Sequence, residues 1–203
     1  LGTPGNGIAA SANGAVPLGA GTIDLAIQLG SFPLALVDRA AGNRGLRGTV
    51  AGTGQVSGTL ASPQATFNVR GTGVTANLLS SNGLPAVGFT VAGNFGGKTV
   101  RLESARLTAP GGLDMSASGT VPFSGPGLDV RVDGTVPLAV ANPFLADRAA
   151  QVAGTARIDA TARGSLAGPQ LGGNVNVAGA TFVDPQTNVR LEGIVLDAGL
   201  QGN

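Results

Sequence analysis

The stretch Thr22-Ile23-Asp24-Leu25-Ala26-Ile27-Gln28-Leu29 has a large aliphatic residue at every odd position and a polar or small one at every even position. A period of two is the signature of a strand with one buried face, because successive side chains leave the pleated backbone on opposite sides. The same alternation recurs in Leu128-Asp129-Val130-Arg131-Val132-Asp133. Phe67-Asn68-Val69-Arg70, Val100-Arg101-Leu102-Glu103 and Asn174-Val175-Asn176-Val177 repeat it in shorter form, and Ala156 to Arg163 repeats it with charges on one side and small apolar groups on the other. Glycine punctuates these segments, often as Gly-Thr or Gly-Ser, and predicts turns and bulges between strands.

A strand about every 13 to 16 residues gives roughly 13 to 15 strands, and at about 4.8 Å per strand a sheet on the order of 60 to 70 Å long. That is long for a compact sandwich. One-sided amphipathicity in so many consecutive strands predicts an all-β fold: a long, curled, mostly antiparallel sheet, a half-pipe whose apolar concave side forms a groove. At most one or two short helices are expected. The helical candidate is Asn142 to Ala150, with Asn142 as N-cap and Pro143 at the first helical position; Leu34 to Ala41 is a weaker counterpart.

The chain repeats itself. Gly48-Thr49, Gly58-Thr59-Leu60-Ala61-Ser62-Pro63-Gln64 and Asn68 recur 106 residues later as Gly154-Thr155, Gly164-Ser165-Leu166-Ala167-Gly168-Pro169-Gln170 and Asn174. Upstream, Gly30-Ser31-Phe32-Pro33-Leu34 corresponds to Gly134-Thr135-Val136-Pro137-Leu138, and each is followed by Asp-Arg-Ala-Ala, from Asp38 and from Asp147. A finer x-Pro element stands at Val16-Pro17-Leu18, Phe32-Pro33-Leu34, Val121-Pro122-Phe123 and Val136-Pro137-Leu138, each marking a strand end or an edge. We therefore expect residues 1–203 to be a single elongated segment, with two related units at roughly 15–95 and 120–203. Leu1 to Gly7 reads as the middle of a longer protein rather than a start, and carries no signal-peptide pattern.

Composition removes whole branches of chemistry. The chain has no Cys, His, Trp or Tyr, so zinc sites, haem ligation, cysteine nucleophiles and disulfides are excluded, and no cofactor or metal is expected. Eleven of the 12 basic residues are Arg, scattered singly against 11 acids, which argues against a nucleic-acid surface. No stretch approaches the roughly 20 apolar residues of a membrane-spanning helix. A candidate carboxylate pair, Asp129 and Asp133 flanking Arg131, reads as the solvated face of an amphipathic strand, because a catalytic dyad needs an apolar pocket or a like charge held close. Gly52-Thr53-Gly54 and Gly71-Thr72-Gly73 lack the Lys and the following helix of a phosphate loop. Asp184-Pro185-Gln186-Thr187-Asn188 supplies too few carboxylates for a cation cage and reads as a turn at the head of a strand. No catalytic residue is assigned, and the chain is not expected to be an enzyme.

What remains is the aliphatic face. With only seven Phe as aromatics, a closed core would be hard to fill to native density, whereas an apolar groove needs no filling. The residues expected on this inward face are Ile23, Leu25, Ile27, Leu29, Phe67, Val69, Phe89, Val91, Leu102, Val130, Val132, Ile158, Val175, Val177, Leu191 and Leu196.

The run of Gly-Thr, Gly-Thr/Ser-Leu-Ala-x-Pro-Gln motifs quoted above, continued by Gly179-Ala180-Thr181-Phe182-Val183-Asp184-Pro185-Gln186-Thr187-Asn188-Val189-Arg190-Leu191-Glu192-Gly193-Ile194, resembles the C-terminal domain of the TamB family. These are the inner-membrane components of the bacterial translocation and assembly module, related to AsmA-like proteins, and the likeness extends over nearly the whole chain. The resemblance implies a β-taco whose groove carries phospholipid acyl chains between inner and outer membrane, or assists unfolded outer-membrane protein strands together with a TamA-like outer-membrane protein. It implies a periplasmic location within a protein anchored in the inner membrane of a Gram-negative bacterium, and a groove without catalytic residues. The competing expectation is a structural or adhesive β-solenoid segment of a secreted surface protein, in which the same faces close on themselves. An outer-membrane barrel is disfavoured, since aromatic girdles are missing.

Overall fold

A computed structural model describes residues 9–17, 19, 21–40, 42–81 and 83–202. Leu1 to Gly7, Leu18 of the first x-Pro element and Ala41 lie outside the described residues. The strands are β1 (Ala10–Ala15), β2 (Thr22–Pro33), β3 (Arg47–Thr59), β4 (Ser62–Thr75), β5 (Val87–Gly96), β6 (Thr99–Ala109), β7 (Leu113–Pro122), β8 (Pro126–Pro137), β9 (Gln151–Ser165), β10 (Gly168–Asp184) and β11 (Val189–Gly202). They form one antiparallel meander in chain order, from β1 at one edge to β11 at the other. The two edge strands do not pair with each other, so the sheet is open.

Eleven strands is fewer than the 13 to 15 expected, and ten spacings of about 4.8 Å make the sheet roughly 48 Å long rather than 60 to 70 Å. The reason lies in the glycines. Gly48, Gly52, Gly71 and Gly154 do not end strands but sit inside β3, β4 and β9, and most strands consequently run 10 to 17 residues. Several of these glycines accompany register shifts, which interrupt eight of the ten ladders. Each shift bends its strand and increases the local twist.

Among the described residues helix is confined to α1 (Leu34–Ala40), α2 (Asn77–Ser81) and a 3₁₀ helix at Leu138–Arg148. The last replaces the expected α-helix capped by Asn142: its first helical residue is Leu138 rather than Pro143, it follows the extended Pro137, and it holds Pro143 in its interior. Asn142 does not cap it, and its Oδ1 accepts the Val152 N–H at 2.7 Å instead. The meander places all three helices, with the β6–β7 and β10–β11 turns, along one long rim of the sheet. The β1–β2, β3–β4, β5–β6, β7–β8 and β9–β10 hairpins form the opposite rim. The sequence repeat maps onto this plan: β2, α1, β3 and β4 correspond to β8, the 3₁₀ helix, β9 and β10, six strands on, within one continuous sheet.

Among the described residues no second layer covers the sheet. The chain exposes 12839 Å², about half as much again as the roughly 8,600 Å² of a compact monomer of its mass. The buried apolar residues described are Ile23, Leu128, Ala150, Ala156, Val177 and Ala180, and no side chain among the described residues is completely buried. Along β2, β4 and β6, apolar side chains are mostly half-buried while the alternating polar ones are exposed. The apolar side chains are therefore shielded by their neighbours within the sheet and, locally, by the 3₁₀ helix. Leu138 of the 3₁₀ helix packs on Ala156, Val177 and Ala180, covering the apolar face locally at the helical rim.

Candidate functional site: the apolar face

The ladders carry the apolar face from strand to strand without a break. One row runs Ala12, Ile27, Gly54, Phe67, Gly93, Leu102, Gly119, Val130, Ala162, Leu171, Gly202, each residue directly opposite the next, across all eleven strands. The adjacent row runs Ala10, Leu29, Gly52, Val69, Val91, Ala105, Ala117, Val132, Ala160, Gly173, Leu200. A third passes from Phe32 through Val50, Gly71, Phe89, Leu107, Met115, Gly134, Ile158 and Val175 to Ala198. None of these rows contains a charged or hydrogen-bonding side chain.

In the first row large and small residues alternate, the large ones on even-numbered strands and glycine or alanine on odd-numbered ones. The arrangement levels the surface, because each bulky side chain has room over its neighbour's missing one. A β-carbon at Gly93 would lie 3.0 Å from Cζ of Phe67, and one at Gly134 would lie 2.9 Å from Sδ of Met115. The result is a smooth apolar floor rather than a set of side-chain-shaped holes. It is also accessible: Ile27 is 40% exposed and Leu196 51% exposed.

All sixteen residues assigned from the sequence to the inward face lie on this one face. Ile27, Phe67, Leu102 and Val130 belong to the first row; Leu29, Val69, Val91 and Val132 to the second; Phe89, Ile158 and Val175 to the third. Ile23 and Leu25 continue the face along β2 toward the hairpin rim, opposite Gly58 and Val56. Val177 stands opposite both Ala156 and Leu196, and Leu191 opposite Phe182. Leu191 and Leu196 are five residues apart, so plain alternation would put them on opposite faces. The register shift around Gly193, whose φ is 66°, restores both to the same one. The face also includes Val56, Phe95, Val100, Leu107, Met115, Val121, Leu171 and Leu200, which were missed although Leu113-Asp114-Met115-Ser116-Ala117-Ser118 alternates as cleanly as β2 does.

The opposite face is a ladder of polar pairs. Asn94 donates to Glu103 at 3.0 Å and Ser116 to Asp133 at 2.9 Å, and Asn176 bonds Asp197. Arg106 pairs with Asp114, and its hydrogen bond holds that carboxyl below the usual range. Asp129 meets Arg163 at 3.3 Å, and Arg131 reaches Asp159 at 3.6 Å, relieving the repulsion between Asp159 and the directly opposite Asp133. Asp129 and Asp133 therefore stand in water among cross-strand partners. Such exposed pairs contribute little stability each; their effect is to keep this face wet and the register fixed.

Three discrete depressions, of about 490, 430 and 380 Å³, are open dips lined mainly by polar-face residues such as Arg106, Asp133, Gln55, Asn68 and Arg70. The apolar surface offers a continuous floor instead. Asp184 is buried at the β10–β11 turn, where its Oδ1 accepts the N–H groups of Gln186 at 2.9 Å and Thr187 at 3.4 Å. Among the described residues no three or more carboxylates converge on a possible metal position, and no helix is long and apolar enough to cross a membrane. Scans against models of known families, against curated proteins and against solved structures give no match.

Proposed function

We propose that this chain is a segment of a TamB-like periplasmic conduit in which the apolar face shields phospholipid acyl chains on their way between the inner and outer membranes. The observation that carries this reading is the uninterrupted apolar row from Ala12 to Gly202, spanning the sheet and uncovered by any second layer. A chain laid on such a floor is withdrawn from water at about 0.8 kcal/mol per buried methylene. A level surface without individual side-chain holes suits a flexible hydrocarbon that must slide, since no position holds it more tightly than the next. The same face accommodates the apolar side of an unfolded outer-membrane strand, and a TamA-like outer-membrane protein is the partner expected through the parent chain.

The test is extraction of lipid from the purified chain, read by native mass spectrometry. The conduit reading expects co-purified phospholipid, and loss of it in Ile27→Arg. A chain that emerges free of lipid, with this face closed against another copy, would instead be a structural or adhesive segment.

A further inference from the structure

The apolar floor carries no charge, so a phospholipid lying on it must place its headgroup at one of the two long rims. The hairpin rim offers little to an anion: among the described residues of its five turns, Lys98 is the one charged residue. The helical rim is charged, but unevenly. Near its β11 end, Arg148 and Arg190 are matched by Asp147, Asp184 and Glu192, and Arg190 is paired with Glu192 at 2.5 Å. At the other end, Arg39, Arg44 and Arg47 fall within nine residues of the connection from α1 into β3, with Asp38 the one acid beside them.

Three hydrogen bonds tie described residues on either side of that connection. The Asp38 carboxylate accepts the Leu46 N–H at 3.0 Å, the Asp38 carbonyl accepts the Asn43 N–H at 2.9 Å, and the Arg44 carbonyl accepts the Asn77 N–H at 2.8 Å. One oxygen of that carboxylate accepts a main-chain N–H, and the two arginines that flank Arg44, Arg39 and Arg47, are exposed. Immediately before them, α1 presents Leu36 and Val37 to solvent, 47% and 40% exposed. Exposed arginines that follow exposed aliphatics this closely along the chain supply the two kinds of group that an anionic lipid headgroup and its first methylenes require. The second unit lacks this device: its Asp147-Arg148-Ala149-Ala150 runs directly into β9, with nothing corresponding to Arg44 and Arg47.

We propose that the α1–β3 corner is a headgroup site for anionic phospholipids, holding the lipid phosphate at the rim while the acyl chains occupy the apolar floor. This rests on the conduit reading and gives it a preferred cargo and a loading end. The test compares binding of the purified chain to vesicles of phosphatidylcholine alone and of phosphatidylcholine with phosphatidylglycerol, with an uncharged diacylglycerol as a separate probe of the floor. Each arginine near an anionic surface is worth about fivefold in binding, so Arg39→Gln with Arg47→Gln should lose on the order of 25-fold of the phosphatidylglycerol preference and leave diacylglycerol binding unchanged. Arg39→Lys with Arg47→Lys should retain most of the preference. Arg101→Gln with Arg157→Gln on the polar face, which removes the same net charge, should change it by no more than about twofold.

Diacylglycerol bound without any preference for phosphatidylglycerol, or a preference that the two glutamine pairs reduce equally, overturns the headgroup site and leaves the conduit standing. No binding of diacylglycerol overturns the conduit and the headgroup site with it.

Discussion

The ring of Phe89 on β5 lies across Gly71 on β4, its direct partner in the ladder. A β-carbon at position 71 would stand 2.6 Å from Cζ and 2.7 Å from Cδ1 of that ring. The absent side chain is therefore what lets this ring, one of the two phenylalanines in the third row, lie flat on its neighbour instead of standing off the apolar face. Gly71→Val should destabilise the sheet by about 1–3 kcal/mol, the usual cost of overpacking, measured by urea unfolding. Combining it with Phe89→Ala should recover part of the loss, since the two residues share one space and their effects do not add. Strict additivity in that cycle would mean that the ring does not rest on Gly71.

Ile23 and Ile27 belong to the same strand and the same face but differ in cover, Ile23 being 8% exposed and Ile27 40% exposed. A charge at Ile27 remains in contact with water, so Ile27→Arg should change unfolding free energy by less than about 1 kcal/mol while abolishing co-purified phospholipid. Ile23→Arg buries the charge and should cost about 3 kcal/mol or more. If both variants unfold alike, the face is an ordinary core and the groove reading fails with it.

The contrast between these two isoleucines marks the limit of what was legible in the sequence. Alternation in β2 gives the strand and its two faces directly, because side-chain direction is set by local backbone geometry. Alternation also predicts that such strands form a single antiparallel sheet, since each is amphipathic on its own. It does not give register, which depends on pairing with residues tens of positions away. The precise partners Ile27 with Gly54 and Phe67 with Gly93, and with them the level floor, emerge only in the sheet. The use of glycine is hidden for a related reason. Gly71 suits a turn or a strand by composition, and only the register shows its smallness used inside a strand, against a ring on the next one. The 3₁₀ helix was placed but not recognised, because Pro143 suits the first turn of an α-helix as well as the interior of this tighter one.

That helix is held to the sheet chiefly by Leu138, packed on Ala156, Val177 and Ala180, and by the Asn142 side chain at the Val152 N–H. Its remaining apolar residues include Phe144, which is 64% exposed. Leu138→Ala should cost about 2 kcal/mol, the low end for a leucine truncation, because the site is only partly covered. The loss should be local. Hydrogen exchange at the Val152 amide should accelerate, while the amides of β3 and β4, far across the sheet, keep their protection. Uniform acceleration throughout would show instead that the helical rim is part of the global folding unit.

Asp184 gives the fold a pH dependence on the same rim, at the C-terminal end of β10. Burial on its own would raise the carboxyl's pKa. The Thr187 hydroxyl, the Gln186 and Thr187 amides and the nearby Arg148 outweigh that effect and hold it below its ordinary value. With the folded pKa depressed, the folded chain binds fewer protons than the unfolded chain at acid pH. The stabilisation is therefore complete above the ordinary carboxyl pKa of about 3.9 and is lost as pH falls through the lower, folded value. The β10–β11 turn should accordingly loosen only in strong acid, seen as rising hydrogen exchange at the Gln186 and Thr187 amides after correction for the intrinsic rate. Asp184→Asn, which keeps one acceptor but cannot ionise, should make turn protection independent of pH over the same range. A wild-type turn that loosens instead near neutral pH would contradict the assignment, since no group with a depressed carboxyl pKa could produce that midpoint.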